Sequence, residues 1–320
     1  SRATATGSRT EHRVISAPTN DRWSRDEVAA FSREALEASG ASASVAATMA
    51  DAIAAAELDG IQSHGLFYLP TYCQHLKCGK VNPNARIASE ISGACVTVDA
   101  DAGFAHPAIA VAFEHLISKA RGFGVAIAAI RNSYNCGVLG YHTETLSRAA
   151  LVGIGFTNAP ASIAPWGGRI PLVGTNPISV AVPDTNGGTA FLIDQSASVV
   201  AKSEIMKRDR ECRPIPVGWA LDPEGNPTTE PSVGLKGSMV PAGGVKGFGL
   251  ALFVELMAAC LTGANLGKDA APFSGTAGGP PHTGQFFIAI DPCMTSSGLF
   301  AERVAAITSA MKEMDGVRLP

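Results

Sequence analysis

Between residues 125 and 156 the chain sets out a strand, a glycine-bearing turn, a helix and a second strand in close succession. Val125-Ala126-Ile127-Ala128-Ala129-Ile130 is a short apolar run and reads as a buried strand. Leu139 to Ala149 predicts a helix, and Val152 to Phe156 predicts another apolar strand. Strand, helix and strand with short joins require helices layered on a sheet, so the fold class is α/β.

The flanking segments fit that class. Ser24-x-x-Glu27 is a capping box that opens a helix over Arg25 to Ala38, closed by Gly40. An Ala-rich helix follows and stops at Asp59-Gly60. Pro107 to Arg121 carries Ile109, Phe113, Leu116, Ile117 and Ala120 at helical spacing. Short strands are expected at Val96 to Val98, Ile178 to Val182 and Ala190 to Ile193, with a late buried strand at Phe286 to Ile290. Phe248 to Leu261 reads as a strongly apolar helix and Glu302 to Met314 as a final one. From about 202 to 244 the chain is polar and turn-rich, most clearly at Asp222-Pro223-Glu224-Gly225-Asn226-Pro227.

Composition bounds the function. With 46% hydrophobic and 17% charged residues, the chain is globular rather than disordered. A net charge of -3 argues against nucleic acid or an anionic membrane surface as partner. No apolar run approaches the roughly 18 residues of a membrane span. Ser1 to Asn20 lacks the apolar core of a secretory signal, so residues 1–21 read as a flexible leader. Residues 22–320 then form a single unit: a helical part over 22–90, and C-terminal helices packing around a central α/β region at about 91–290. The seven cysteines are odd in number and irregularly spaced, which points to a reducing, cytoplasmic setting. Cys73-x-His75-x-x-Cys78 has no second Cys/His pair at suitable spacing, so no metal is expected.

Asp59-Gly60-Ile61-Gln62-Ser63-His64-Gly65 carries the first candidate chemistry. Histidine titrates near neutrality and can exchange a proton during turnover. The flanking glycines are expected to admit a substrate or cofactor close to the backbone. A helix end followed by a structural histidine is the plainer reading of the motif alone. Gly122-Phe123-Gly124 and Gly153-Ile154-Gly155 lack the third glycine of a dinucleotide fingerprint, and Gly244-Val245-Lys246-Gly247 lacks the remainder of a phosphate loop. An ordinary Rossmann domain or P-loop is therefore disfavoured.

Three other loops concentrate polar groups. Arg131 to Gly137 is placed between a strand and a helix. Pro165 to Pro177 is a Gly/Pro loop feeding a strand, in which Pro177 holds Asn176 out of the helical region. Gly243 to Gly247 opens the apolar helix and sets Lys246 at its positive end, an arrangement suited to an anion. Asp194 closes a strand and is either a partner for a histidine or a cap.

Taken together these residues resemble the malate/L-lactate dehydrogenase-like NAD(P)-dependent oxidoreductases. That group includes malate, L-sulfolactate and ureidoglycolate dehydrogenases, and the Δ1-piperideine-2-carboxylate/Δ1-pyrroline-2-carboxylate reductases. The likeness spans nearly all of residues 22–320. It rests on D-G-I-Q-S-H-G at 59–65, A-I-R-N-S-Y-N-C-G at 129–137, A-P-W-G-G at 164–168, G-T-N-P at 174–177, Asp194 with Ser198, and G-G-V-K-G at 243–247.

The resemblance implies a three-layer α/β/α fold with a mixed sheet, non-Rossmann and L-sulfolactate dehydrogenase-like, in a homodimer with active sites between subunits. It implies a small-molecule substrate and NAD or NADP as cofactor. It assigns His64 as proton donor, with Ser63 and Asp194 as its orienting relay and Asp194 raising the histidine pKa. Ser133, Asn135, Gly137, Thr175, Asn176, Pro177, Val182, Pro183, Lys246, Gly247 and Arg318 would line the cofactor. Tyr68, Ala161 and Arg169 would meet the substrate. Many members carry arginine at the position of Tyr68 and histidine at that of Asn135, so substrate contacts there differ. The Asp194-Gln195-Ser196-Ala197-Ser198 segment also departs from the commoner aspartate-x-Ala-Thr-Ser version. The implied activity is hydride transfer between nicotinamide and C2 of a small 2-oxo/2-hydroxy acid. A cyclic-imine reductase and a non-catalytic ligand sensor are the alternatives.

Overall fold

In chain order, the described residues of the computed structural model, 22–320, open with α1 (Arg25–Glu37), α2 (Ala43–Leu58) and α3 (Leu69–Cys78). There follow β1 (Ala88–Ser92), β2 (Cys95–Asp99), α4 (Ala105–Phe123), β3 (Val125–Ser133), α5 (Leu139–Arg148), β4 (Val152–Thr157), β5 (Ile178–Pro183) and β6 (Thr189–Gln195). The last third holds α6 (Lys202–Arg210), β7 (Ala220–Leu221), β8 (Pro227–Thr228), α7 (Pro231–Gly234), β9 (Ser238–Met239), α8 (Val245–Glu255), β10 (Thr283–Ile290) and α9 (Phe300–Lys312). The polar leader expected over residues 1–21 lies outside the described residues.

Alternation along β3 builds the layers. Ala126, Ala128 and Ile130 turn to one face and pack with Ala108, Ile109, Ala112 and Leu116 of α4. Ala129 turns to the other face and joins Phe156, Phe286, Val254 and Ala258, the last two from α8 and the π-turn that extends it. Because helices cover both faces, the strand reads as continuously apolar. The arrangement is three layers, α/β/α. The strand order is β1-β2-β3-β10-β4-β5-β6, with β2 and β3 parallel and every other neighbouring pair antiparallel. The sheet is thus mixed, and β10 separates the two strands that flank α5.

The glycines of β4 have a packing role. A Cβ on Gly153 would fall 2.9 Å from the Thr143 carbonyl, and one on Gly155 would fall 2.8 Å from Thr143 Cγ2. Their absence of side chain lets α5 settle on the sheet, which accounts for the partial fingerprint without a nucleotide.

Three expectations are corrected. Residues 202–244 are not merely turns: they hold α6, α7 and a small sheet in the order β8-β7-β9, around Ile205, Ile215, Ala220 and Met239. Two-residue strands leave no periodic signal, and α6 buries only Ile205. Arg131 to Ser133 belong to β3, not to the loop after it. The strand expected over Ala190 to Ile193 and closed by Asp194 is a half-buried edge that runs from Thr189 through Asp194 to Gln195.

The registers bring the chain ends of these strands to one edge. β3, β4 and β6 end there, at Ser133, Thr157 and Gln195, while β10 and β5 begin there, at Thr283 and Ile178. The loops that leave this edge are locked by one buried pair. Asn176 Nδ2 donates to Glu255 Oε2 at 2.7 Å and to the Ala251 carbonyl at 2.9 Å. Its Oδ1 accepts from Ala159 N, and Glu255 Oε1 accepts from Gly267 N. Asn176 takes a φ of 38°, a left-handed conformation that asparagine tolerates better than most residues. Asn176→Ala should therefore strip a buried carboxylate of its amide partner and cost roughly 2–4 kcal/mol in urea unfolding. A loss under about 1 kcal/mol would show that the pair does not hold the loops.

Candidate active site

His64 sits in a 3-10 turn, Gln62–His64, set by the end of α2. Asp59 caps that helix and Gly60, at φ 73°, turns the chain away from it. Glu57 then reaches forward nine residues and accepts from Leu66 N at 2.6 Å. A Cβ on Gly65 would lie 2.2 Å from Glu57 Oε1. The two glycines thus serve a helix exit and an internal carboxylate clasp, correcting the expectation that they make way for a ligand.

Within the turn, Ser63 Oγ and His64 Nδ1 share a 2.9 Å hydrogen bond. Among the described residues no hydrogen-bond partner meets Nε2, which is left as the ring nitrogen able to face a substrate. Burial lowers the imidazole's pKa below its ordinary value. The expected raising by Asp194 is not found. Asp194 forms no ion pair with His64; its Oδ2 accepts from Gly140 N at 2.6 Å, and burial raises its own pKa. That bond caps the first turn of α5, whose N-cap Val138 offers no side-chain acceptor. Asp194 is a cap supplied by a neighbouring strand.

Tyr68 stacks on His64 with ring centroids 6.5 Å apart. Its hydroxyl donates to the Phe273 carbonyl at 3.1 Å and lies among the Tyr134 and Asn135 side chains. The donor that a carboxylate would need is therefore engaged. Asn135 Oδ1 closes a tight turn by accepting from Gly137 N at 2.6 Å. Gly137, at φ 66°, faces His106, whose Nε2 would be 3.1 Å from a Cβ there. His106 packs on His142 with centroids 4.9 Å apart, and burial holds both pKa values down, that of His142 to about 4. This pair of neutral imidazoles beneath the loop left no pattern in the sequence. His75 of the Cys73-x-His75-x-x-Cys78 stretch is engaged too, bonding Tyr134 and the Gly275 carbonyl.

The other candidates divide by position. Ser133 is fully buried and donates to Gln285 Oε1 and the Thr283 carbonyl, and Asn176 is consumed by Glu255. Ala161, Thr175 and Pro177 lie in the loop leaving the site edge, where Ala161 N donates to the Gly267 carbonyl and Thr175 and Pro177 accept from Ala197 N and Thr157 N. Lys246 stands exposed in the first turn of α8, whose N-cap Gly244 offers no side-chain acceptor, so the helix end retains donors for a phosphate. Trp166 covers Gly244, and Gly247 lies against the Ala242 carbonyl, which joins two of the three loops. Val182 and Pro183 are at the opposite end of β5 from Ile178. Arg318 is exposed in the last residues, where the Pro320 carbonyl accepts from Leu192 N on β6. Arg169 is exposed beside Gly225, next to the small sheet.

The comparisons agree with this architecture. The family model for malate/L-lactate dehydrogenase matches residues 23–319. The chain is 46% identical over 286 residues to a (2R)-3-sulfolactate dehydrogenase (NADP(+)) of Chromohalobacter salexigens, covering 89% of this chain and 85% of that one. It is similar to the crystal structure of Δ1-piperideine-2-carboxylate reductase from Pseudomonas syringae, with a TM-score of 0.88 and 37% identity, covering 93% and 90% of the two chains. Sulfolactate dehydrogenase of Methanocaldococcus jannaschii follows at a TM-score of 0.83 and 31% identity, covering 92% and 86%.

The clasp around His64 can be tested directly. Gly65→Ala displaces the Glu57 carboxylate from Leu66 N and should lower kcat about tenfold or more, whereas Glu57→Gln keeps an acceptor and should stay within about threefold of the parent. Equal activity of both variants would break the link between the clasp and the histidine.

Proposed function

The chain belongs to the malate/L-lactate dehydrogenase family, and from that premise we propose that it moves a hydride between NAD(P) and C2 of a small 2-oxo/2-hydroxy acid of the malate, lactate or sulfolactate type. The observation that carries the reading is the Ser63-His64 pair, with Nδ1 bonded to Ser63 and Nε2 without a hydrogen-bond partner among the described residues. When bound, the nicotinamide supplies or accepts hydride at its C4. Everything else is the work of this chain's residues. In reduction, His64 as imidazolium donates a proton from Nε2 to the substrate's carbonyl oxygen; in oxidation, the neutral ring takes it back. Ser63 fixes the ring through Nδ1. Asp194 acts at one remove, anchoring the first turn of α5 and thereby the Asn135-to-Gly137 turn.

The dinucleotide is read as lying along β5 and β6. The six residues from Ile178 to Pro183 span roughly 17–20 Å, enough to separate a nicotinamide end near His64 from an adenosine end near Val182, Pro183 and Arg318. Lys246 and the start of α8 would meet phosphate. The leading reading also includes a homodimer, supported by the exposed Leu252, Phe253, Leu256 and Leu261 on and after α8. Cytoplasmic residence rests on the cysteine pattern.

A cyclic-imine reductase is the second reading, favoured by the likeness to the P. syringae enzyme. In that reaction the ring nitrogen takes the proton. Following cofactor absorbance at 340 nm, with NADH and NADPH crossed against 2-oxo acids and Δ1-pyrroline-2-carboxylate, separates the two.

His64→Ala should reduce kcat by roughly 10²–10⁴-fold while cofactor still binds. Near-normal turnover in that variant sinks the assignment. The pH dependence is equally specific. Because burial lowers the His64 pKa, kcat/KM for reduction should fall with rising pH around a midpoint below the ordinary value of about 6.5. Oxidation should rise around that same midpoint. A midpoint above 7 contradicts a desolvated acid.

A further inference from the structure

The segment that joins the π-turn after α8 to β10 has no framework of its own. Residues 271–281 make no backbone–backbone hydrogen bond among the described residues. Three side chains from one stretch of the chain hold it instead, each by donating to one of its carbonyls. Tyr68, at the start of α3, donates from its hydroxyl to Phe273 at 3.1 Å. His75, near the end of that helix, donates from Nε2 to Gly275 at 2.8 Å. Lys80, buried just beyond the helix, donates from Nζ to Pro272. Burial favours the neutral His75 ring, so with its proton on Nε2 the Nδ1 accepts from the Tyr134 hydroxyl. The Phe273 ring packs on Tyr134, with centroids 5.5 Å apart. Residues 272–275 are thus a strap laid along α3.

One of the three ties reaches the histidine turn directly. The Tyr68 ring lies nearly parallel to that of His64, at an interplanar angle of 16° and a centroid separation of 6.5 Å. Tyr72 meets Tyr68 edge-on at 4.8 Å, and the strap holds its hydroxyl. The Ser63 bond to Nδ1 leaves the imidazole free to rotate about that bond, so a neighbour on its face is needed to fix the ring. The charged and titratable groups around the turn are Glu57 and Asp59 at the end of α2, His106 of α4, Arg210 of α6 over Phe67, and Asp194 of β6, held by Gly140. Among the described residues none of them pairs with His64, and burial is what lowers the imidazole's pKa.

We propose that Tyr68 is a positioning residue for the proton transfer: its ring fixes and shields one face of His64, and the 272–275 strap fixes Tyr68. The proposal rests on the hydride-transfer reading above and adds the device that holds the acid in place.

Three variants test it, each read by kcat, KM and the His64 pKa from NMR titration of the ring resonance that His64→Gln removes. Tyr68→Leu takes away the face, so kcat should fall roughly 10–100-fold while KM changes less than about threefold. Hydration of the exposed ring should raise the His64 pKa toward the ordinary value of about 6.5, and the reduction limb of the pH profile should move up with it. Tyr68→Phe keeps the ring and loses the tie, and should give smaller changes in the same direction. Lys80→Met releases the strap without touching Tyr68 and should match Tyr68→Phe. The proposal is overturned if Tyr68→Leu leaves the His64 pKa unmoved, or if Lys80→Met leaves kcat and that pKa at their parent values. Should the parent enzyme turn over no 2-oxo acid and no cyclic imine, the hydride-transfer reading is what has failed. The NMR titration of the three variants then decides the strap alone.

Discussion

The pairing of Asn176 with Glu255 is the constraint on which the site edge depends. A carboxylate buried at the end of α8 has its two oxygens met by an amide and a backbone N–H, from Asn176 and Gly267. Each donor belongs to a different loop, and the amide oxygen binds a third position at Ala159. Burial raises the Glu255 pKa, and the hydrogen bonds from Gly267 and Asn176 oppose that shift. Loops carry no regular ladder of their own hydrogen bonds. Here a carboxylate and the amide bonded to it, together tied to Gly267 N and Ala159 N, replace that ladder and give the loops a shared position relative to the sheet.

That arrangement explains which parts of the molecule could be read from sequence. Elements set by local pattern were legible: the Ser24 capping box, the Ala-rich helix ending at Asp59-Gly60, and the strand, helix and strand from 125 to 157. What could not be seen was pairing between distant segments. β10 enters between β3 and β4 more than a hundred residues after them, and an apolar run such as Phe286 to Ile290 carries no mark of its neighbours. The small sheet was invisible because its strands are two residues long. The resemblance assigned Ser63 as an orienting partner of His64, and the structure has the two hydrogen-bonded in one turn.

The misreadings share a physical cause. Glycines and short polar residues are ambiguous between contact with a ligand and contact with the protein itself. Gly65, expected to admit a ligand, makes room for Glu57. Asp194, expected beside a histidine, satisfies a helix end instead. In each case the partner lies far away in sequence or on another element, so type and spacing alone could not choose between the two readings.

The electrostatics of the pocket follow from the same packing. Around His64 stand groups that burial keeps neutral: the His106 and His142 imidazoles, the Tyr68 phenol, and the Cys136 thiol pushed up to about 12. Asp194 is engaged with Gly140, and among the described residues no carboxylate pairs with His64. A proton donor in such surroundings is a strong acid but is seldom charged at neutral pH. An anionic substrate changes that balance, because a negative charge beside the ring favours its protonated form.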